Sequence, residues 1–245
     1  MKTLQVERSL GEAEAFPDPS WRSLYRAGSV SAILFVVFVL VAIVLVVVAP
    51  PPLNADGATT LQYIASHKVL YIIEQILWLA PSVFALVVYL ALYPALKHLN
   101  KSYAALGAIA GSAAWMLGLA IPTTGGGAPV LVPLSDNYMA ATTAAQHTAF
   151  ATAAEVFIAQ NNITTAVGIL APVGMLILSL VMLKGIFPKG IAYLGIVAGI
   201  LGIVSEALRP IIGIGYLAYG LLLPLWFLAV GWQLYRLESN ISKER

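Results

Sequence analysis

The sequence predicts an all-α, polytopic membrane protein with six transmembrane helices, and three observations carry that prediction. Only 10% of its 245 residues are charged and 60% are hydrophobic, whereas soluble domains carry about a quarter charged residues. Apolar runs long enough to cross a hydrocarbon core of roughly 30 Å recur along the chain. The alternating apolar–polar pattern of a membrane β-barrel is missing, and helices satisfy their own backbone hydrogen bonds in lipid.

The first run, "SVSAILFVVFVLVAIVLVVVA", covers 29–49 without a charge. Residues 1–28 before it are mostly polar and are expected to form a cytoplasmic N-terminal segment. That polar lead, the length of the run and the prolines after it predict a retained helix and not a cleaved signal peptide. The segment "PPPLNADGATTLQYIASH" is rich in turn residues, and its tail predicts a short interfacial helix. The second and third runs follow at about 69–92 and 104–122. The connection after them is long. Its first half, "TTGGGAPVLVPLSDN", carries three glycines and two prolines and is expected to be irregular. Its second half, about 138–160, is rich in Ala and Thr and predicts one outer-side helix between helices three and four, capped or kinked at Asn161 and Asn162. Asn162-Ile163-Thr164 matches a glycosylation acceptor, but its place at a helix start argues against modification. Runs four, five and six lie at about 163–183, 190–208 and 214–234. The six-helix membrane domain is thus expected over 29–237, with 238–245 as a cytoplasmic tail.

Basic residues orient the chain, because they collect on the cytoplasmic side. Lys2, Arg8, Arg22 and Arg26 precede the first helix. Lys97 and Lys101 separate the second from the third, Lys184 and Lys189 the fourth from the fifth, and Arg236, Lys243 and Arg245 follow the sixth. Six crossings put all of these on one side and leave Lys68 and Arg209 on the other. Both termini are therefore expected in the cytoplasm, with the plasma membrane as the location and the bilayer as the first partner. Trp21, Tyr25 and Trp232 stand where interfacial aromatics belong. The net charge of +2 is scattered over loops, so no nucleic-acid-binding face is expected.

The chain contains an internal likeness. "LAPSVFALVVYLALYPALKHLNKSYAALGAIAG" from Leu79 and "LAPVGMLILSLVMLKGIFPKGIAYLGIVAG" from Leu170 share a Leu-Ala-Pro start, a basic turn and an "LGxxAG" helix. Gly107 and Gly111 correspond to Gly195 and Gly199. Both hairpins run in the same sense, as a parallel duplication would. Small residues at i and i+4 also simply let helices pack closely, so both origins stay open. Where the first copy ends in "GLAIP", the second ends in "SEALRP".

That difference draws attention to the polar residues of the outer half. Glu206 and Arg209 share one helix face near the outer boundary, either as a terminal anchor or as part of a site. Tyr71, Glu74, Gln75, Trp78 and Ser82 form one continuous helix stripe, with Glu74 about 9 Å into the second helix from Lys68. A carboxylate there costs up to ~3 kcal/mol and needs a partner or a proton. Arg209 is the expected partner and Lys68 its rival. Glu155, His147, Asn161, Asn162, Thr165, Tyr216 and Tyr219 are further outer-side candidates. The candidate ligand-binding set is accordingly Glu74, Gln75, Tyr71, Trp78, Glu206 and Arg209, weighed against a buried structural pair.

Other chemistry finds little support. Cysteine is absent, which excludes disulfides and thiolate metal sites. His67, His98 and His147 show no metal-motif spacing; a zinc set of His67, His147, Glu74 and Glu155 is the sole combination on offer. "TTGGG" lacks the lysine of a phosphate loop. The three aspartates, Asp18, Asp56 and Asp136, are all expected in loops. No catalytic residue, metal or cofactor is assigned, and an enzyme is disfavoured.

"YRAGSVSAILF", "KGIFPKGIAYLGIVAGILGIV" and "LLLPLWFLAVGWQLYRL" resemble the bacterial membrane family known as domain of unknown function 4386. Arg26-Ala27-Gly28, the turn at Pro188 and Lys189 before Leu194 and Gly195, and Trp226 with Trp232 carry the resemblance. It spans roughly 21–237 and implies six spanning helices in a prokaryotic plasma membrane, without an activity or a functional residue. The expected role is a structural or accessory membrane component, with a membrane-protein partner or a second copy of the chain. The alternative is a small-solute or lipid-binding protein, or a permease, built on an outer pocket around Glu74 and Arg209.

Overall fold

The computed structural model describes residues 18–50, 56–120, 128–160, 165–185, 187–212 and 216–243. The expectations for Asn161, Asn162, the "TTGGG" stretch and the first 17 residues fall outside that set. The Asp18 carboxylate accepts from the Ser20 N–H at 3.0 Å and starts a single turn, Pro19–Trp21. Helix α1 then runs Arg22–Val48. Its buried positions Tyr25, Gly28, Ala32, Phe35, Val39 and Ala42 recur every three or four residues and face the bundle. Ile33, Val37, Leu40 and Val44 lie on the exposed side, as a lipid-facing stripe would.

After α1 come α2 (Gly57–Ser66), α3 (Lys68–Leu96), α4 (Lys101–Ala120), α5 (Leu131–Ala140) and α6 (Ala144–Gln160). The chain continues through α7 (Ala166–Met182), α8 (Lys189–Ala207), the short α9 (Arg209–Ile212) and α10 (Tyr216–Lys243). No strand occurs among the described residues. Five helical stretches, Pro19–Val48, Lys68–Leu96, Lys101–Ala120, Lys189–Ala207 and Ala218–Ser242, are long and apolar enough to cross a membrane. The fourth expected run, 163–183, becomes α7 with 17 residues. Its rise of about 25 Å falls short of a 30 Å core. Helix α10 continues through 238–242, beyond the expected end of the bundle, because Arg22 on α1 holds it. The Arg22 guanidinium meets Glu238 at 2.8 Å and donates to Ser242 Oγ at 2.7 Å.

The long helices pack in a closed circuit. Helix α1 lies against α3, α3 against α4, α4 against α7, α7 against α8, α8 against α10, and α10 returns to α1. Aromatic rings fill the middle. Phe35 stacks on Phe227 with centroids 4.0 Å apart, Trp115 meets Phe35 edge-on at 5.7 Å, and Trp226 meets Phe227 edge-on at 5.4 Å. Tyr89 joins at 6.0 Å from Trp226 and donates its hydroxyl to Ala171 O at 3.0 Å. Such ring pairs contribute about 0.5–1.5 kcal/mol each beyond their buried area.

Glycines let α7 sit between its neighbours. A Cβ on Gly174 would meet the backbone of Gly111 at 2.5 Å and Gly107 O at 2.8 Å. On the opposite side, Gly199 and Gly202 of α8 approach Pro172 and Leu176. The glycines that match between the two hairpins thus serve the close packing expected of small residues in membrane helices.

At the end of the bundle remote from Arg22 and Glu238, α2, α5 and α6 form a cap with its own apolar cluster. Leu61, Ile64, Leu131, Tyr138 and Ala154 close on Tyr71 of α3. Ser135 Oγ donates to Leu61 O at 2.6 Å, fixing α5 on α2. Two features depart from the sequence reading. The Pro-rich half of the connection contains α5, because Pro133 falls in its first turn, where a missing N–H is tolerated. The single outer helix is two helices, separated at Ala141–Thr143. Gln146 N donates to Thr143 Oγ1 at 3.3 Å and Thr143 N to Gln146 Oε1 at 3.2 Å. That reciprocal pair is a capping box, and it starts α6 afresh.

The opposite end holds a pH-sensitive group. Both ring nitrogens of His98, in the turn after α3, are buried with no hydrogen-bond partner among the described residues. Burial first, and the neighbouring Lys97 charge second, hold its pKa below 6.5. The proton therefore prefers the unfolded chain. Stability is complete above the unfolded value of about 6.5 and is lost as pH falls through the folded pKa. The melting temperature is expected to drop on acidification below pH ~6.5, with a shallower drop in His98→Gln; identical slopes would reject this role.

Candidate functional site

The chain's second helix stripe is a buried face of α3. Tyr71, Glu74, Gln75 and Ser82 are all buried, and Trp78 is half-buried on the same side. Helix geometry alone aligns them; the cap above decides what surrounds them. The Tyr71 hydroxyl donates to Ala128 O and accepts from Ala128 N, both at 3.1 Å, so it fastens α3 to the start of the α5 segment. Lys68 at the head of α3 grips Asp136 of α5 with both carboxylate oxygens at 2.7–2.8 Å. This pair is exposed, and Lys68→Ala is expected to cost no more than ~1 kcal/mol, with an effect that shrinks in high salt.

Beneath these ties lies Glu74. It is 3% exposed, and its Oε1 has no hydrogen-bond partner among the described residues. The Trp78 indole N–H, one turn further along, is likewise without an acceptor there. Tyr63 of α2 stands on the cap side and stacks on His67 at 4.6 Å. Burial first, and the Glu74 carboxylate second, push the Tyr63 phenol above its ordinary pKa. Tyr63, Tyr71 and Trp78 are thus the aromatic residues that lie near this carboxyl group.

Glu206 and Arg209 form a second cluster, where the C-terminal end of α8 meets the N-terminus of α7. Glu206 is fully buried. It accepts from Thr165 N at 2.9 Å, from Thr165 Oγ1 at 3.2 Å and from Arg209 Nη1 at 3.2 Å. Thr165 Oγ1 in turn accepts from Gly168 N at 3.0 Å as the N-cap of α7. A carboxylate at the C-terminal end of its own helix is badly placed, but at the N-terminus of α7 it is favoured by the macrodipole. A Cβ on Gly168 would overlap the Glu206 carboxyl, so glycine is required for the approach. The ion pair that the structure gives Arg209 is with Glu206, and the described ion pairs include no Glu74–Arg209 link.

The six candidate residues thus fall into two groups: Tyr71, Glu74, Gln75 and Trp78 under the cap, and Glu206 with Arg209 at a helix joint. The sequence reading missed Tyr63 and Ala128, and it named Thr165 without its role. A hydroxyl residue directly before an apolar helix was the available signal for Thr165. Tyr63 lies on α2, which breaks from α3 only at His67, and Ala128 stands just before α5; neither approach is set by the periodicity of α3. His147 packs edge-on against Tyr138 at 4.7 Å. Among the described residues, no group of three or more His, Asp or Glu side chains stands ready to hold a metal ion.

A family model described as "Domain of unknown function (DUF4386)" matches residues 30–235. No curated protein and no solved structure matches the chain.

Proposed function

The chain belongs to the DUF4386 family, and from that premise we propose that it is a structural or accessory component of the plasma membrane. In this reading α7 is the sixth spanning helix, both termini lie in the cytoplasm, and the α2–α5–α6 cap stands outside. The charge pattern supports that orientation. Arg22, Arg26, Lys97, Lys101, Lys184 and Lys189 gather at one end of the bundle, while Lys68 and Arg209 are at the cap end. One observation carries the choice of role: the middle of the helix circuit is packed with Phe35, Tyr89, Trp115, Trp226 and Phe227. Solute transport needs a polar path through that position, and stacked rings supply none.

Single cysteines can be introduced into a chain that has none. Met139→Cys on the cap should react with an impermeant maleimide in intact cells, and Lys101→Cys only after lysis. The reverse pattern would invert the topology. Proteoliposomes should pass amines, amino acids and sugars no faster than protein-free vesicles, and gentle extraction should recover a membrane partner or a second copy in fixed ratio. Saturable flux above the protein-free rate would overturn the accessory role in favour of a permease.

A further inference from the structure

We propose that Glu74 and the aromatic rings around it bind an organic ammonium group at the cap end of the bundle. The inference does not rest on the accessory role and would survive its loss. It starts from a charge that its own chain leaves unanswered. Glu74 is 97% removed from solvent, being 3% exposed, and its Oε1 lacks a donor among the described residues. Buried carboxylates are retained where a countercharge or donor meets them. The two basic side chains at this end are already engaged, Lys68 by Asp136 at 2.7 Å and Arg209 by Glu206 at 3.2 Å. The stretches of sequence at 51–55, 121–127, 161–164 and 213–215 contain no Lys, Arg or His. Of the cap-end histidines, His67 has its Nδ1 beside Ser66 Oγ at 2.9 Å and Tyr63 O at 3.2 Å, and His147 packs on Tyr138. No described ion pair gives Glu74 that countercharge, and a carboxylate that keeps its charge here takes a cation from outside the chain.

The surroundings select its chemistry. A metal ion needs several oxygen or nitrogen ligands, and the described residues gather no such group. Tyr63, Tyr71 and Trp78 instead bring aromatic rings near the carboxyl group, and such rings attract ammonium groups, more strongly when desolvated. Carboxylate plus aromatic faces is a combination suited to a protonated or methylated amine. The Trp78 N–H lies toward the same Glu74 carboxyl group and has no other acceptor among the described residues. The same chemistry is presented by a free amine and by an aminated lipid headgroup.

The test uses the full-length protein in phosphatidylglycerol nanodiscs, titrated calorimetrically with ethanolamine and with choline. A parallel arm adds phosphatidylethanolamine and reads lipid retained on the protein by native mass spectrometry. Saturable binding of either free amine, at least about tenfold weaker in Glu74→Gln, would support a soluble ligand. Retention of phosphatidylethanolamine by the parent and not by Glu74→Gln, without free-amine binding, would support a headgroup. Trp78→Leu, which removes the π-face and the N–H while keeping apolar bulk, should weaken whichever arm binds, and it decides the matter if Glu74→Gln fails to fold. Absence of binding in both arms, or binding that Glu74→Gln and Trp78→Leu leave unchanged, would overturn the proposal.

Discussion

Gly174→Ala is expected to destabilise the protein by about 3 kcal/mol or more and to cost much of its folded yield in detergent. In an ordinary helix this change would help, since alanine is favoured over glycine by about 1 kcal/mol. Here the added methyl would stand 2.5 Å from Gly111 N and 2.8 Å from Gly107 O. Those are backbone atoms, and no rotamer change moves them aside. Overpacking of this kind costs about 1–3 kcal/mol when neighbours can shift and more when two helices must part. Separation of α4 from α7 would also strain the Tyr89–Ala171 hydrogen bond across the bundle. Gly220→Ala is the control, because a Cβ there meets nothing within 4 Å. Fluorescence-detected melting should show a large loss for Gly174→Ala and none for Gly220→Ala; equal melting temperatures would contradict the close α4–α7 contact.

Glu206→Ala is expected to lose about 2–4 kcal/mol. It strips the acceptor from Thr165 N and Thr165 Oγ1 and leaves the Arg209 charge, whose side chain is only 28% exposed, without its carboxylate. Breaking a buried pair from one side costs more than the pair contributes. Arg209→Ala should cost less, about 1 kcal/mol, because the Thr165 bonds to Glu206 remain and the macrodipole of α7 still faces the carboxylate. The double variant should be less unstable than the sum of the two singles. Equal single losses, or strict additivity in denaturant unfolding, would show that the two groups act independently. This arrangement explains why so apolar a helix ends in two charges: Glu206 serves the N-terminus of the preceding helix, α7, and Arg209 neutralises it.

Much of the bundle was legible because lipid enforces a simple rule. Runs of apolar residues must become helices, and α1, α3, α4, α8 and α10 follow the expected runs closely. The buried stripe of Tyr71, Glu74, Gln75 and Trp78 was likewise readable, since 3.6-residue periodicity sets it. Partners were harder, because they come from distant segments. Arg209 was assigned to Glu74 on side and charge alone, whereas Glu206, three residues away and equally buried, holds the nearer geometry. The cap was misread in detail for a local reason. Thr143-Ala-Ala-Gln146 is a capping-box pattern, but an Ala-rich stretch without Gly or Pro looks continuous when only breakers are counted.

The packing circuit of the long helices closes between the first and the last. Phe35 of α1 rests on Phe227, and Arg22 reaches Glu238 and Ser242 of α10. During synthesis α1 emerges well before α10, so the inner face of α1 waits for that neighbour until α10 has been made. The early intermediate has an unsealed flank, which is where a membrane chaperone or protease would inspect the nascent protein. A ribosome stalled before α10 would therefore leave a substrate for quality control, however well the preceding helices had already assembled.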